Sequence, residues 1–242
     1  KLPVMVRLAS WIGGDMVGRN EITARTIREL IGRQRSLVLD LYHRECRELT
    51  EKLSQSRTRI GVSAEIEERI RLYAGHFPNA LSMTPVRHRD MRYRVMLRLM
   101  MARLQSTFSD GLFPYDSADE LAGDLRLIID SLDRHGGQHT GLFAVRRLLR
   151  RVETFGFYFM TLDIRQEASV NRRIIGRSLD ETDWLQQSAE YRTERLRKAL
   201  AENESPLVDF DNEGKRAIGI FQAIAFCRRR FGEKSIGPYI VS

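Results

Sequence analysis

The sequence predicts a mainly helical chain with a few short parallel strands, pieces of a parallel α/β barrel. Long stretches carry apolar residues at helical spacing. Between them lie two short apolar runs of strand character, each flanked by helices. At the end of the first run, charged and amide side chains abruptly follow apolar ones, as at the ligand-binding strand ends of α/β folds.

The first helix is expected over residues 22–55, on Ile27, Leu30, Ile31, Leu37, Leu41 and Leu49. A second, capped by Ser63, follows over 64–74 with acids in its first turns, where the helix dipole favours them. Its two prolines mark 77–85 as a loop. A third helix runs from about 88 to 107, its stripe of Met91, Val95, Leu97, Met100, Met101 and Leu104 reading as core. Ser117 and Glu120 form a capping box for a helix that carries Leu121, Leu125, Ile128, Ile129 and Leu132 and ends at Gly136–Gly137. Another helix covers 142–153. The aromatic and β-branched run at 157–164 reads as a buried strand. Helices are expected again near 168–179, 184–201 and 213–231, and I-G-P-Y-I-V-S closes the sequence as a second buried strand. No repeat, low-complexity tract or flexible linker divides the 242 residues, and a first residue other than Met reads as a cut from something longer.

Composition narrows the function. Apolar residues make up 42% and charged residues 30%, an ordinary globular balance. No run of eighteen apolar residues or signal-peptide pattern occurs, so no membrane partner and a cytoplasmic location are expected. Cys46 and Cys227 lack metal-ligand spacing and read as reduced and buried. The histidines form no H-E-x-x-H pattern, so no metal site is expected within these residues. The net charge is +8, and only five of the 40 basic residues are lysines. A guanidinium grips phosphate and carboxylate through a planar fork, which points to an anionic partner. The arginines are spread over every helix, most beside glutamates, which argues against a nucleic-acid interface.

T-L-D-I-R-Q-E, residues 161–167, is the most informative place. Arg165 at the end of a buried strand is suited to clamp the phosphate or carboxylate of a small substrate, with Asp163 and Gln166 to orient it. Equally, Asp163, Arg165 and Glu167 could form a structural ion-pair cluster capping the strand. The stretch S-W-I-G-G-D-M-V-G-R-N, residues 10–20, has neither G-x-G-x-x-G nor G-K-[ST] spacing, so it is no nucleotide cradle. Its Gly13 and Gly14 are expected to turn the backbone at a strand end and bring Asp15 beside a pocket, with Trp11 and Ile12 as the buried tail of the strand.

F-G-F-Y-F-M-T-L-D-I-R-Q-E resembles the F-G-(x)-L-D-I-R-Q-E-S motif of phosphoenolpyruvate carboxylases. S-W-I-G-G-D-M-V-G-R-N is similar to that family's S-W-(I/M)-G-G-D-R-D-G-N-P, and Y-I-V-S to its Y-(V/I)-I-S, in the same order and at similar separations. The resemblance implies a fragment, roughly the middle quarter, of a helix-rich (α/β)8 TIM-type barrel cut at both ends. It implies a cytoplasmic, allosteric, usually tetrameric enzyme that joins phosphoenolpyruvate to bicarbonate, giving oxaloacetate and phosphate with Mg2+ or Mn2+. In that chemistry metal and arginines neutralise phosphate and stabilise the enolate. The motif arginine maps onto Arg165, with Asp15, Gly13, Gly14, Asp163 and Gln166 as the wall. The catalytic His and Lys motifs and the metal carboxylates fall outside these residues, so the isolated chain is expected to be inactive. The family's R-D-G-N-P is here Met16-Val17-Gly18-Arg19-Asn20, and R-Q-E continues as Ala168-Ser169-Val170-Asn171 rather than S-x-x-H. A non-catalytic homologue acting through oligomer contacts, or a basic helical nucleic-acid module, are the alternatives.

Overall fold

The computed structural model describes residues 8–19, 21–56, 59–204 and 211–242. They form two compact units, one of residues 33–159 and the other of residues 8–32 with 160–242. Helix α1 (Ala24–Lys52) begins in the second and continues into the first.

The first unit is entirely helical among its described residues: the remainder of α1, α2 (Ala64–His76), α3 (Pro78–Ser82), α4 (Arg92–Ser109), α5 (Ala118–Arg134) and α6 (Leu142–Phe155). Tyr93, Val95, Met96, Leu97, Leu99, Met100 and Leu104 of α4 are all buried, so this helix is enclosed on nearly every side; of the expected stripe Val95, Leu97, Met100 and Leu104 are core, while Met91 and Met101 are half-buried. Around it pack Leu39, Tyr42 and Cys46 of α1, Ile66 and Tyr73 of α2, Leu125 and Ile128 of α5, and Val145 and Leu148 of α6. The Tyr42 hydroxyl donates to the Gly156 carbonyl at 2.8 Å, tying α1 to the end of α6.

One polar group lies at the centre of this unit. Asp124 of α5 is 0% exposed and accepts from Arg69 Nη1 (2.6 Å), Tyr73 OH (2.7 Å) and Tyr115 OH (2.6 Å). Arg103 of α4 donates to Tyr73 OH (2.6 Å), to the Pro114 carbonyl (3.0 Å) and to Glu120 (2.6 Å), with its guanidinium stacked 4.1 Å from the Tyr115 ring centroid. Burial pushes the Asp124 carboxyl up, while its phenol and guanidinium donors oppose that shift.

Three details of the unit depart from the sequence reading. Residues 78–82 form the short helix α3, because Pro78 sits at its first turn, where a missing N–H costs nothing. Ser117 caps α5 without a side-chain bond, and Glu120, drawn to Arg103, does not complete the capping box. Phe157 to Met160 are not strand: Gly156 and Phe159 take positive φ (52° and 68°), and Phe157 and Phe159 turn back onto the helical core.

The second unit holds the sheet. Strands β1 (Ala9–Ser10), β2 (Thr161–Gln166) and β3 (Ile236–Val241) run parallel in that spatial order. With them stand α7 (Ala168–Ser178), α8 (Ala189–Ala201) and α9 (Asn212–Phe231). Leu162 and Ile164 of β2 point into a core made with Ile27 and Ile31 of α1 and Ile220, Ala223 and Cys227 of α9. By strand alternation, Thr161, Asp163 and Arg165 face the other way. Between Leu162 and Ile164 the register slips by one residue, so Ile236 pairs with Leu162 but Tyr239 with Ile164, a bulge at Gly237–Pro238. Only Ile236 of β3 is buried, so the closing strand is half-covered rather than fully buried.

Candidate functional site

The opening glycines act as the sequence suggests. Gly14 and Asp15 both donate their N–H to the Trp11 carbonyl (2.9 and 3.0 Å), a tight turn that requires the positive φ of Gly13 (84°). Gly14 then seats so closely on the Asp163 carbonyl oxygen that any Cβ would overlap it. The chain re-enters the sheet: Arg165 N donates to Gly14 O (2.9 Å) and Met16 N to Arg165 O (2.9 Å), a parallel bridge that sets Asp15 beside Arg165. Ile240 flanks Arg165 on the other side. Trp11 and Ile12, read as a buried tail, are 65% and 74% exposed, since β1 ends at Ser10 and the turn carries them outward.

The guanidinium of Arg165 has no partner among the described residues. Neither the orienting contacts from Asp163 and Gln166 nor the Asp163–Arg165–Glu167 ion-pair cluster forms there. The Gln166 amide oxygen instead accepts from Glu167 N (2.9 Å), and Glu167 accepts from Ser169 Oγ (3.2 Å). Asp15 Oδ1 accepts from Val17 N (3.3 Å), and Asp163 Oδ1 is buried without a partner. At the positions that differ from the family motif, Met16 is buried in the sheet core and Arg19 is exposed, while Asn20 lies outside the described residues.

A cavity of about 320 Å³ lies at the strand ends, lined in part by Met16, Gly18, Gln166, Glu167, Arg216 and Tyr239. Of the expected wall residues only Gln166 borders it; Arg165, Asp163, Asp15, Gly13 and Gly14 do not. Sequence reasoning missed Arg216, whose Nη2 donates to the carbonyls of Arg19 (2.8 Å) and Ile22 (2.9 Å) and closes the opening loop on α9. It also missed Gly237, whose bare backbone makes room for the Asp163 carboxylate; the glycine inside a strand pattern was the available signal.

Among the described residues no group of three or more His, Cys, Asp or Glu could hold a metal ion, so they do not fit a Mg2+ or Mn2+ centre. Both cysteines are free and buried, and burial pushes the thiols of Cys46 and Cys227 up to about 12 and about 11. No described helix is long and apolar enough to cross a membrane. Surface arginines pair with acids, as in Arg25–Glu29, Arg126–Glu153 and Arg146–Asp133.

The described residues are mainly helical with three short parallel strands, and Arg165 near the carboxyl end of the middle strand has no side-chain partner among them. The sequence profile of phosphoenolpyruvate carboxylase matches residues 1–242, and the chain belongs to that family. It is 43% identical over 242 residues to a phosphoenolpyruvate carboxylase of Xanthomonas euvesicatoria pv. vesicatoria, covering all of this chain and 27% of the relative. A phosphoenolpyruvate carboxylase of Xanthomonas campestris pv. campestris is 42% identical over the same span, and one of Burkholderia mallei is 28% identical over 268 residues. The chain thus spans about a quarter of the length of these curated relatives, 27% and 26%.

Proposed function

We propose that this chain is one part of the (α/β)8 barrel of a phosphoenolpyruvate carboxylase, with Arg165 in its substrate site. The observation that carries the reading is Arg165, whose guanidinium has no partner among the described residues and whose backbone is held near the end of the central parallel strand by the glycine turn. Such a group binds phosphate or carboxylate through two parallel N–H bonds, and it stabilises negative charge without reorganising. The backbone bonds through Gly14 and Met16 hold the residue that carries it, and Asp15 and Asp163 form the wall of the same sheet face.

The parent enzyme carboxylates phosphoenolpyruvate with bicarbonate, giving oxaloacetate and phosphate, as a cytoplasmic homotetramer. Its divalent metal, Mg2+ or Mn2+, is held by residues outside this chain and supplies Lewis-acid charge at the substrate oxygens. The 242 residues form a single stretch of the barrel domain. They carry no catalytic residue of their own beyond the substrate contact.

A coupled assay that oxidises NADH as oxaloacetate is reduced tests the reading. The full-length protein should turn over only when both phosphoenolpyruvate and bicarbonate are present, and the isolated chain should give no signal. A full-length protein without turnover would leave the non-catalytic homologue as the better reading.

A further inference from the structure

Arg165 is held by its backbone, and the loop that holds it has to be held in turn. Arg165 N donates to Gly14 O and Met16 N to Arg165 O, both at 2.9 Å. From Met16 the chain crosses to the start of α1, where Thr23 and Thr26 cap the helix reciprocally, each hydroxyl accepting from the other's backbone N–H (3.2 and 3.3 Å). Between these ends packing does little. Gly18 and Arg19 are exposed, Gly18 takes a positive φ (65°), and open space surrounds the place where its Cβ would stand.

Arg216, near the start of α9, spans this stretch. Its Nη2 donates to the carbonyls of Arg19 (2.8 Å) and Ile22 (2.9 Å), so one nitrogen ties together two loop carbonyls three residues apart. A charged donor makes such bonds stronger than a neutral one would. The far end of the tie is firm, because Ile220, Ala223 and Cys227 of α9 lie in the same core as Leu162 and Ile164 of β2. Arg216 thus joins the outer part of the loop to the core that seats the strand carrying Arg165. Slack in the loop would pass to Arg165 through the Met16 bond, and a binding group displaced by about 1 Å can lose about a hundredfold in rate.

We propose that Arg216 is a positioning residue for the substrate site: by holding the loop after the glycine turn on α9, it keeps Arg165 in place for phosphoenolpyruvate. It acts through the loop backbone and makes no contact with the substrate. The inference rests on the reading of Arg165 as a substrate contact.

The test uses full-length Arg216→Met, Arg216→Lys and Arg165→Ala, with phosphoenolpyruvate and bicarbonate titrated separately and thermal unfolding recorded alongside. Methionine keeps an apolar stem and removes the donors, whereas lysine keeps a charged donor. Arg216→Met should raise KM for phosphoenolpyruvate about tenfold, leaving KM for bicarbonate unchanged and the unfolding midpoint within about 2 °C. Arg216→Lys should recover most of that loss. Amide hydrogen exchange over residues 10–22 should quicken in Arg216→Met. An unchanged KM for phosphoenolpyruvate would overturn the proposal even if exchange quickened, since the tie would then serve the loop alone. So would an equal loss toward both substrates with a lowered midpoint, which marks a general folding role. If Arg165→Ala impairs phosphoenolpyruvate kinetics and Arg216→Met does not, only this inference falls. If neither does, the substrate-site reading falls with it.

Discussion

Each unit of the chain holds an aspartate with a buried carboxylate oxygen, and the two are treated in opposite ways. Asp124, in the helical unit, receives three donors within 2.7 Å and is enclosed completely. Asp163, in the sheet unit, has a buried oxygen without a hydrogen-bond partner among the described residues. The first arrangement is a finished structural network, its residues drawn from α2, α4, α5 and the loop before α5. In the second, neither Asp163 Oδ1 nor the Arg165 guanidinium has a partner among the described residues. The difference separates a polar network closed within the chain from polar groups that have few partners among the described residues.

Breaking the closed network should produce the largest change. Asp124→Ala strips the acceptor from Arg69, Tyr73 and Tyr115 at once, and should cost about 3–5 kcal/mol of stability by denaturant unfolding. A loss below about 1 kcal/mol would mean that the network contributes little. In the sheet unit the backbone contact matters more than the carboxylate. Gly14→Ala drives a methyl into the Asp163 carbonyl and should cost about 1–3 kcal/mol, with the Asp15–Arg165 bridge disturbed. Wild-type stability in that variant would show that the turn relaxes freely.

The two cysteines report on the units separately, Cys46 in the helical core and Cys227 in the sheet core. With both thiols pushed well above the usual value, neither should react with iodoacetamide at pH 8 until its unit opens. In the isolated chain Cys227 should label before Cys46, as followed by mass spectrometry. The reverse order would contradict the view that the helical unit is the more self-sufficient. The smallest effect belongs to the pair that Arg195 of α8 makes with Glu204 just beyond the helix. Two hydrogen bonds from Arg195 (2.7 and 2.9 Å) hold the Glu204 carboxyl below the usual range. Its contribution is present above the ordinary glutamate value and fades as the pH falls through the lowered one. Arg195→Met should return the Glu204 titration to its ordinary position by NMR, with little change in stability.

Much of this was legible in the sequence for a physical reason: periodicity reports burial along a single element. Helices α1, α2, α4, α5, α6, α7 and α9 follow from apolar spacing, and the buried cysteines from composition. What periodicity cannot see is contact between distant residues. Asp124 meets Arg69, 55 positions away, and Tyr73, 51 away, so nothing local marked it as a network centre. The run Phe157–Met160 looked like strand because aromatic side chains suit both a sheet and a helical core, and here the helical core took them. Leu37 fell on the helical stripe of α1 yet is exposed. At the site, the structure sets Asp15 beside Arg165 through a parallel bridge, a pairing the motif alone did not state. Nor could the motif show that Asp163 turns toward Gly237, because a bulge in β3 decides that.

The central claim is that Arg165 is a substrate contact and not a structural one. Arg165→Ala in the full-length protein, measured by kcat/KM for phosphoenolpyruvate together with the thermal unfolding midpoint, tests it most directly. The guanidinium has no partner among the described residues, so its removal should leave the midpoint within about 2 °C. The same change should lower kcat/KM about a hundredfold or more. Unchanged kinetics, or a loss of activity that follows a loss of stability, would contradict the account.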